Sequence, residues 1–304
     1  MDNDFIRKYR PRRFKSKKLS YEPVYRGNVE PVWLDLNDLV SDTIKLVPKI
    51  PENVDAIIGV ARSGLIPASI ISTYLHLPLF SVSWHEPENI VNLSGGHRKP
   101  SIDNIKRVVV IDDSTASGTT WENLKALDFK FPEVITAAIY VEPFAKIQPK
   151  IIGRYLSLPH LFSWNFFNNY VMEVTGIDFD GILCPDPPFG SGPEYELWLS
   201  DAKRLLAIRM YKVKAIITAR GEKYRNITEA WLKRYGIAYQ NLIMAPEHGM
   251  NVDDIIKFKY DTIKKLGLTY FVESADDIAR RLTGSCRYVI CPAAKKVYMV
   301  KEHG

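Results

Sequence analysis

An α/β protein of two domains, each a mainly parallel sheet flanked by helices, is predicted on three observations. Short runs of β-branched and aliphatic residues recur along the chain, and most are followed by a stretch of helical spacing, the alternation that builds parallel sheets. Acidic or Ser/Thr/Gly-rich residues follow several of these runs, at the strand ends where open α/β sheets bind ligands. The length of 304 residues accommodates two cores of ordinary size.

Composition narrows the class. No apolar run approaches the ~18 residues of a membrane span, and the amino terminus is charged rather than signal-like, so a cytoplasmic protein with no membrane partner is expected. Cys184, Cys286 and Cys291 lack Cys-x-x-Cys spacing, which argues against a disulfide framework or a zinc site. The net charge of +6 is uneven, because Arg7, Lys8, Arg10, Arg12, Arg13, Lys15, Lys17 and Lys18 crowd residues 1–20. That segment is expected to be a basic, solvated, flexible arm. Neither an aromatic-rich single-strand pattern nor a helix-turn-helix accompanies it, so nucleic acid is not an expected partner.

Residues 33–50 have helical spacing in Leu36, Leu39, Val40, Ile44 and Val47, with Asp35 and Asn37 as candidate caps and Pro48 and Pro51 as the stop. Ala56–Val60 reads as a short buried strand, and residues 61–67 as a turn into a helix that ends at Leu75. In that turn Arg62, Ser63 and Gly64 offer an anion site at a strand end. Residues 79–84 form a further strand, after which residues 85–106 carry Pro87, Gly95, Gly96, His97, Arg98 and Pro100 without periodicity. A loop of that length inside a compact domain is usually functional or disordered.

Residues 107–121, RVVVIDDSTASGTTW, carry the clearest chemistry. Val108, Val109, Val110 and Ile111 predict a buried parallel strand, with Asp112 and Asp113 at its carboxyl end. Ser114, Thr115, Ala116, Ser117, Gly118 and Thr119 then supply hydroxyls and open backbone N–H groups ahead of a helix, which suits a phosphate. The two carboxylates are acceptors and suit sugar hydroxyls, or water on Mg²⁺. A sugar bearing a 5′-phosphate is the implied ligand. Residues 134–141 make another strand, and residues 155–169 are rich in aromatics, including Trp164 and Phe166.

This run resembles the PRPP-binding signature of type I phosphoribosyltransferases, and Arg62-Ser63-Gly64 is similar to the loop that binds the pyrophosphate of PRPP in that family. The resemblance implies the type I phosphoribosyltransferase fold over residues 21–171, with Asp113 among the catalytic residues and Asp112 to Thr119 holding PRPP. It places residues 85–106 where the family has a flexible loop that closes over PRPP and excludes water, with His97 and Arg98 as contacts to pyrophosphate. It makes the aromatic segment a hood over the nucleobase, with Trp164 and Phe166 as stacking candidates. Glu142 stands where 6-oxopurine enzymes of the family place a lysine; a carboxylate only accepts, so a base edge carrying N–H or amino groups is expected, unless Lys146 substitutes.

The pattern restarts at Met172. Asp178-Phe179-Asp180-Gly181 puts two carboxylates on one side of an extended backbone, since alternate residues share a face. Residues 213–217 form a strand ending in Thr218-Ala219-Arg220, Lys259 precedes a helix over residues 260–266 with Lys257 as its rival, and Glu273 follows a strand with Asp276 and Asp277 close behind. These four elements resemble, in order, the motifs of haloacid dehalogenase (HAD)-like hydrolases. The resemblance implies a Rossmannoid domain over residues 172–304. Its roles would be Asp178 as nucleophile, Asp180 as acid and base, Thr218 on the phosphoryl group, Lys259 offsetting charge, and Asp178, Asp180, Glu273 and Asp277 around Mg²⁺. The thirty-seven residues between Asp180 and Thr218 are too few for a large cap domain there, so a capless, open site is expected.

Together the resemblances imply a bifunctional, Mg²⁺-dependent enzyme of nucleotide metabolism. It would transfer phosphoribose between PRPP and a nucleobase, then hydrolyse a phosphate monoester, taking nucleotide to nucleoside. The alternative is a PRPP or nucleotide sensor that gates the phosphatase. The base, the direction of transfer and the oligomeric state stay open, with a homodimer as one option.

Overall fold

The computed structural model describes residues 30–83, 86–94, 104–125, 131–188 and 190–300. The basic arm, Trp84, His97 and Arg98 lie outside the described residues. Two sheets organise the rest. One has six strands and the other eight.

In the six-stranded sheet, β2 (Ala56–Val60), β3 (Leu79–Ser83), β5 (Arg107–Thr115), β6 (Glu133–Val141) and β7 (Ile151–Tyr155) are parallel. The apolar runs of β2, β5 and β6 are buried on both faces. One face packs on α1 (Leu36–Leu46) and α2 (Leu65–Leu75), through Leu39, Leu46, Ala68 and Ile71. The other is covered by Trp121 and Leu124 of α3 (Thr119–Lys125). Helix α1 begins later than its spacing predicts: Asp35 caps it by accepting from Asp38 N–H, Asp38 reciprocates, and the box stops the helix from running back to Trp33. Part of the expected loop at 85–106 is a strand, β4 (Glu86–Asn92), antiparallel to β3. A polar edge strand shows little apolar alternation, which is why its sequence reads as loop.

The eight-stranded sheet is built on β9 (Thr175–Ile177), β10 (Val213–Gly221), β11 (Tyr239–Ala245), β12 (Tyr270–Val272) and β13 (Tyr288–Cys291), all parallel, with β14 (Lys296–Tyr298) turning back antiparallel. Helices α5 (Pro193–Asp201), α6 (Arg225–Arg234), α7 (Val252–Lys265) and α8 (Asp276–Arg281) accompany it. The restart at Met172 is a 3₁₀ turn, Tyr170–Val174, leading into a strand of only three residues. Lys259 lies inside α7 rather than ahead of a helix.

The sheet does not stop at the expected boundary near residue 172. Strand β1 (Val32–Leu34) pairs with β14, and β8 (His160–Phe162) pairs with β1, so both ends of the first half extend the second half's sheet. Phe166, at the end of α4 (Ser163–Phe166), meets Trp33, Phe167 and Tyr270 edge-on, with centroids at 5.5, 5.3 and 5.6 Å.

Candidate active sites

The first site forms at the carboxyl end of β5, where Asp112 to Thr115 belong to the strand itself: Asp112 pairs with Ala138 and Thr115 with Val141. Gly64 brings the neighbouring turn against it. A Cβ there would lie 2.7 Å from Ile111 O and 2.9 Å from Asp112 Cα, so only glycine lets the Arg62–Gly64 turn touch the acid pair. Arg62 is exposed, and Ser63 O and Arg62 O accept from the first turn of α2.

Asp112 and Asp113 are both buried. Burial, followed by the adjacent Asp113 carboxylate, pushes Asp112 well above the usual carboxylate range. Asp112 Oδ1 accepts from Asp113 N–H at 2.9 Å, and Asp113 Oδ2 accepts from Trp164 Nε1–H at 2.7 Å. In the loop that follows, Ser117 and Thr119 share a hydroxyl contact of 2.8 Å, and both are exposed. Thr115 is buried, its hydroxyl accepting from Trp121 Nε1–H at 2.8 Å.

Two expectations for the base site change. Phe166 lies on the far side of α4, inside the core shared with Trp33 and Tyr270, because residues two apart on a helix turn point in nearly opposite directions. Trp164 lies on the site side, stacked on Phe162 at 4.6 Å. Glu142 is buried and its Oε2 accepts from Leu158 N–H at 2.6 Å, so one carboxylate oxygen ties down the hood. Lys146 reaches Glu122 on the surface. His160, which sequence reading passed over, sits between these groups: burial lowers its pKa, while the Glu142 and Asp113 charges oppose that shift.

The second site gathers at the ends of β9, β10 and β12. Lys259, only 2% exposed, reaches Asp178 Oδ2 at 2.8 Å and Glu273 Oε2 at 2.7 Å. Burial lowers the Lys259 pKa, but the two carboxylates, Asp178 first, outweigh it and push it up. Glu273 is held below the usual range: burial opposes this, but Lys259 and accepted hydrogen bonds dominate, including those from Ser274 and Ala275 N–H. Asp178 goes the other way, raised first by burial and then by the Glu273 charge. Gly181, at φ 73°, turns the chain after the acids in a conformation that side chains resist, and a Cβ there would strike Ser274 Cβ at 2.4 Å.

Asp180 is engaged by Arg220, through Nε to Oδ2 at 2.9 Å and Nη2 to Oδ1 at 2.6 Å. The guanidinium is 1% exposed and lies 3.8 Å over the Phe179 ring. The pairing is legible only in part: Thr218 and Arg220 alternate on one strand and so share a face, but nothing in the sequence names Arg220's partner. Thr218 is fully buried beside it and accepts from Arg220 N–H.

Of the four expected metal ligands, Asp178 and Glu273 converge, Asp180 is bound by Arg220, and Asp277 is exposed in the first turn of α8. Among the described residues no group of three or more such side chains is arranged to hold a metal. Asp178 and Glu273 share the one lysine. They are also the oxygen donor set that Mg²⁺ takes with water and a substrate phosphate, so the residues fit that ion.

No helix among the described residues is long and apolar enough to cross a membrane. A model of the phosphoribosyl transferase domain matches residues 30–170. No curated protein matches the chain. Among solved structures it is similar to the xanthine-guanine-hypoxanthine phosphoribosyltransferase of Helicobacter pylori, at 19% identity over 45% of this chain and 93% of that one, with a TM-score of 0.37. It is also similar to a purine phosphoribosyltransferase from Pyrococcus horikoshii, at 27% identity over 45% and 95% of the two chains, with a TM-score of 0.34. The orotate phosphoribosyltransferase of Aeropyrum pernix shares 21% identity over 35% and 58%, with a TM-score of 0.27. Residues 30–170, which contain the Asp112–Asp113 site, thus carry a phosphoribosyl transferase domain.

Proposed function

We propose that the chain is a bifunctional enzyme that transfers phosphoribose between PRPP and a nucleobase and hydrolyses a phosphate monoester, taking a nucleotide to a nucleoside. The family match supports the first activity. One observation carries the second: Asp178, Lys259 and Glu273, drawn from three separate elements, meet in a buried triad at the strand ends.

In the first site, Asp112 and Asp113 accept from the ribose hydroxyls of PRPP, the 114–119 loop cradles its 5′-phosphate, and the Arg62–Gly64 turn meets its pyrophosphate. In the second, an Asp178 oxygen attacks phosphorus while Lys259 offsets the charge on nucleophile and phosphoryl group. Thr218 binds a phosphoryl oxygen. Asp180, oriented by Arg220, protonates the leaving alcohol and then takes a proton from the water that opens the aspartyl-phosphate. Asp178 and Glu273 would hold Mg²⁺, which neutralises charge on the transferring group. Irreversible hydrolysis would pull reversible transfer forward.

The test is incubation of the full chain with PRPP, Mg²⁺ and a nucleobase panel, with product masses read out. Nucleoside, pyrophosphate and phosphate are expected. PRPP binding without pyrophosphate release would replace the transferase with a sensor, and nucleotide without phosphate release would remove the second step.

A further inference from the structure

Trp164 does more in the structure than present a ring. Its Nε1–H donates to Asp113 Oδ2 at 2.7 Å, a charge-assisted hydrogen bond to a carboxylate that is itself only 3% exposed. The indole is not free to swing. It stacks on Phe162 with centroids 4.6 Å apart and planes within 13°, and Phe162 stacks in turn on Tyr140 at 5.4 Å. Tyr140 lies on β6, paired with Ser114 of β5. Ring, carboxylate and strand therefore close a loop in which the orientation of Asp113 is over-determined. A residue serving only as a stacking platform would use its faces and leave the N–H without a required partner; here the N–H is aimed at the acid.

Resting on the transferase reading above, we propose that Trp164 is a positioning residue for phosphoribosyl transfer: its indole N–H holds the Asp113 carboxylate in the orientation that receives the ribose of PRPP. A carboxylate has two oxygens and about four acceptor sites, so one bond to Trp164 fixes the group and leaves Oδ1 for the sugar. The bond acts on PRPP rather than on the base.

Trp164→Phe removes the donor and keeps an aromatic ring against Phe162. In the full chain we expect KM for PRPP to rise about tenfold, the weight of a hydrogen bond to a charged group, with KM for the base and the melting temperature little changed. The deciding measurement is a double-mutant cycle on PRPP binding, by titration calorimetry with Mg²⁺ present. If Trp164 acts through Asp113, Trp164→Phe costs nothing further in an Asp113→Ala background, which leaves the indole N–H no side-chain acceptor there. An unchanged PRPP affinity, an equal loss in both backgrounds, or a rise confined to KM for the base would overturn the proposal. Wild-type protein that binds PRPP with the coupling intact but releases no pyrophosphate with any base would sink the transferase reading and leave the positioning role standing. Absence of PRPP binding by the wild type would overturn both.

Discussion

Asp112 and Asp113 at the end of β5, and Asp178 and Asp180 after β9, both stand at the carboxyl ends of interior strands, yet only the second pair is supplied with cations by the chain itself. Lys259 serves Asp178 and Glu273, and Arg220 serves Asp180. Among the described residues no ion pair reaches Asp112 or Asp113, whose partners are N–H groups, the Thr120 side chain and each other. On the roles proposed above, the difference has a chemical reason. Transfer of a phosphoryl group onto a carboxylate brings two anions together, and a fixed cation lowers that cost before substrate arrives. Acids proposed to bind sugar hydroxyls would meet neutral donors and need no counter-charge, and burial, followed by the Asp113 charge, raises the pKa of Asp112.

The comparison breaks most sharply by removing each pair's working acid. Asp178→Asn swaps an anionic oxygen for an amide of nearly equal volume, so the fold should persist while phosphate release falls by about 10³- to 10⁴-fold. With PRPP and base the variant should accumulate nucleotide, read by mass spectrometry. Asp113→Asn should weaken transfer and leave phosphate release from a generic ester near wild type; loss of both activities in a folded variant would mean one composite site.

Next comes the cation. Lys259→Met strands two buried carboxylates, and breaking a buried pair in this way costs about 3–5 kcal/mol. Urea melts should show that loss at neutral pH. It should shrink in acid, because the Glu273 pKa is held down by Lys259, and the stability gained from that is lost as pH falls through the folded-state value.

At Asp112 the sign reverses. Its folded-state pKa is raised, so the contribution to stability is full below the ordinary carboxylate pKa of about 3.9 and is lost as pH rises through the folded-state value. Asp112→Asn, always neutral, should therefore raise the melting temperature near pH 7 and lose that advantage near pH 4. A melting series showing no pH dependence in the difference would place the Asp112 charge in a solvated setting.

The smallest effect is expected where cation and acid meet in water. Lys295 bonds Asp35 and Asp38 across the two halves, with its side chain well exposed. Lys295→Ala should leave the melting temperature within error, since exposed pairs contribute little. A clear drop would mean that the β1–β14 junction depends on it.

By itself the sequence determined the parts that depend on neighbours along the chain. The apolar runs at 56–60 and 107–111 are strands because β-branched residues buried on both faces fit nothing else as well, and the acids after them mark strand ends. The order of motifs nominated Glu273, and Lys259 with Lys257 as its rival, although the strand before the two acids ends at Ile177 and not at Asp180. Only the tertiary structure decided what depends on distant elements meeting. It gave Asp180 to Arg220, forty residues on. It sent Phe166 into a core and Trp164 to Asp113, since both read as aromatics in one short segment and residues two apart on a helix point in nearly opposite directions. It put β1 and β8 into the second sheet, because a strand of three residues carries too little pattern to name its neighbours and pairs wherever an edge of matching register is open.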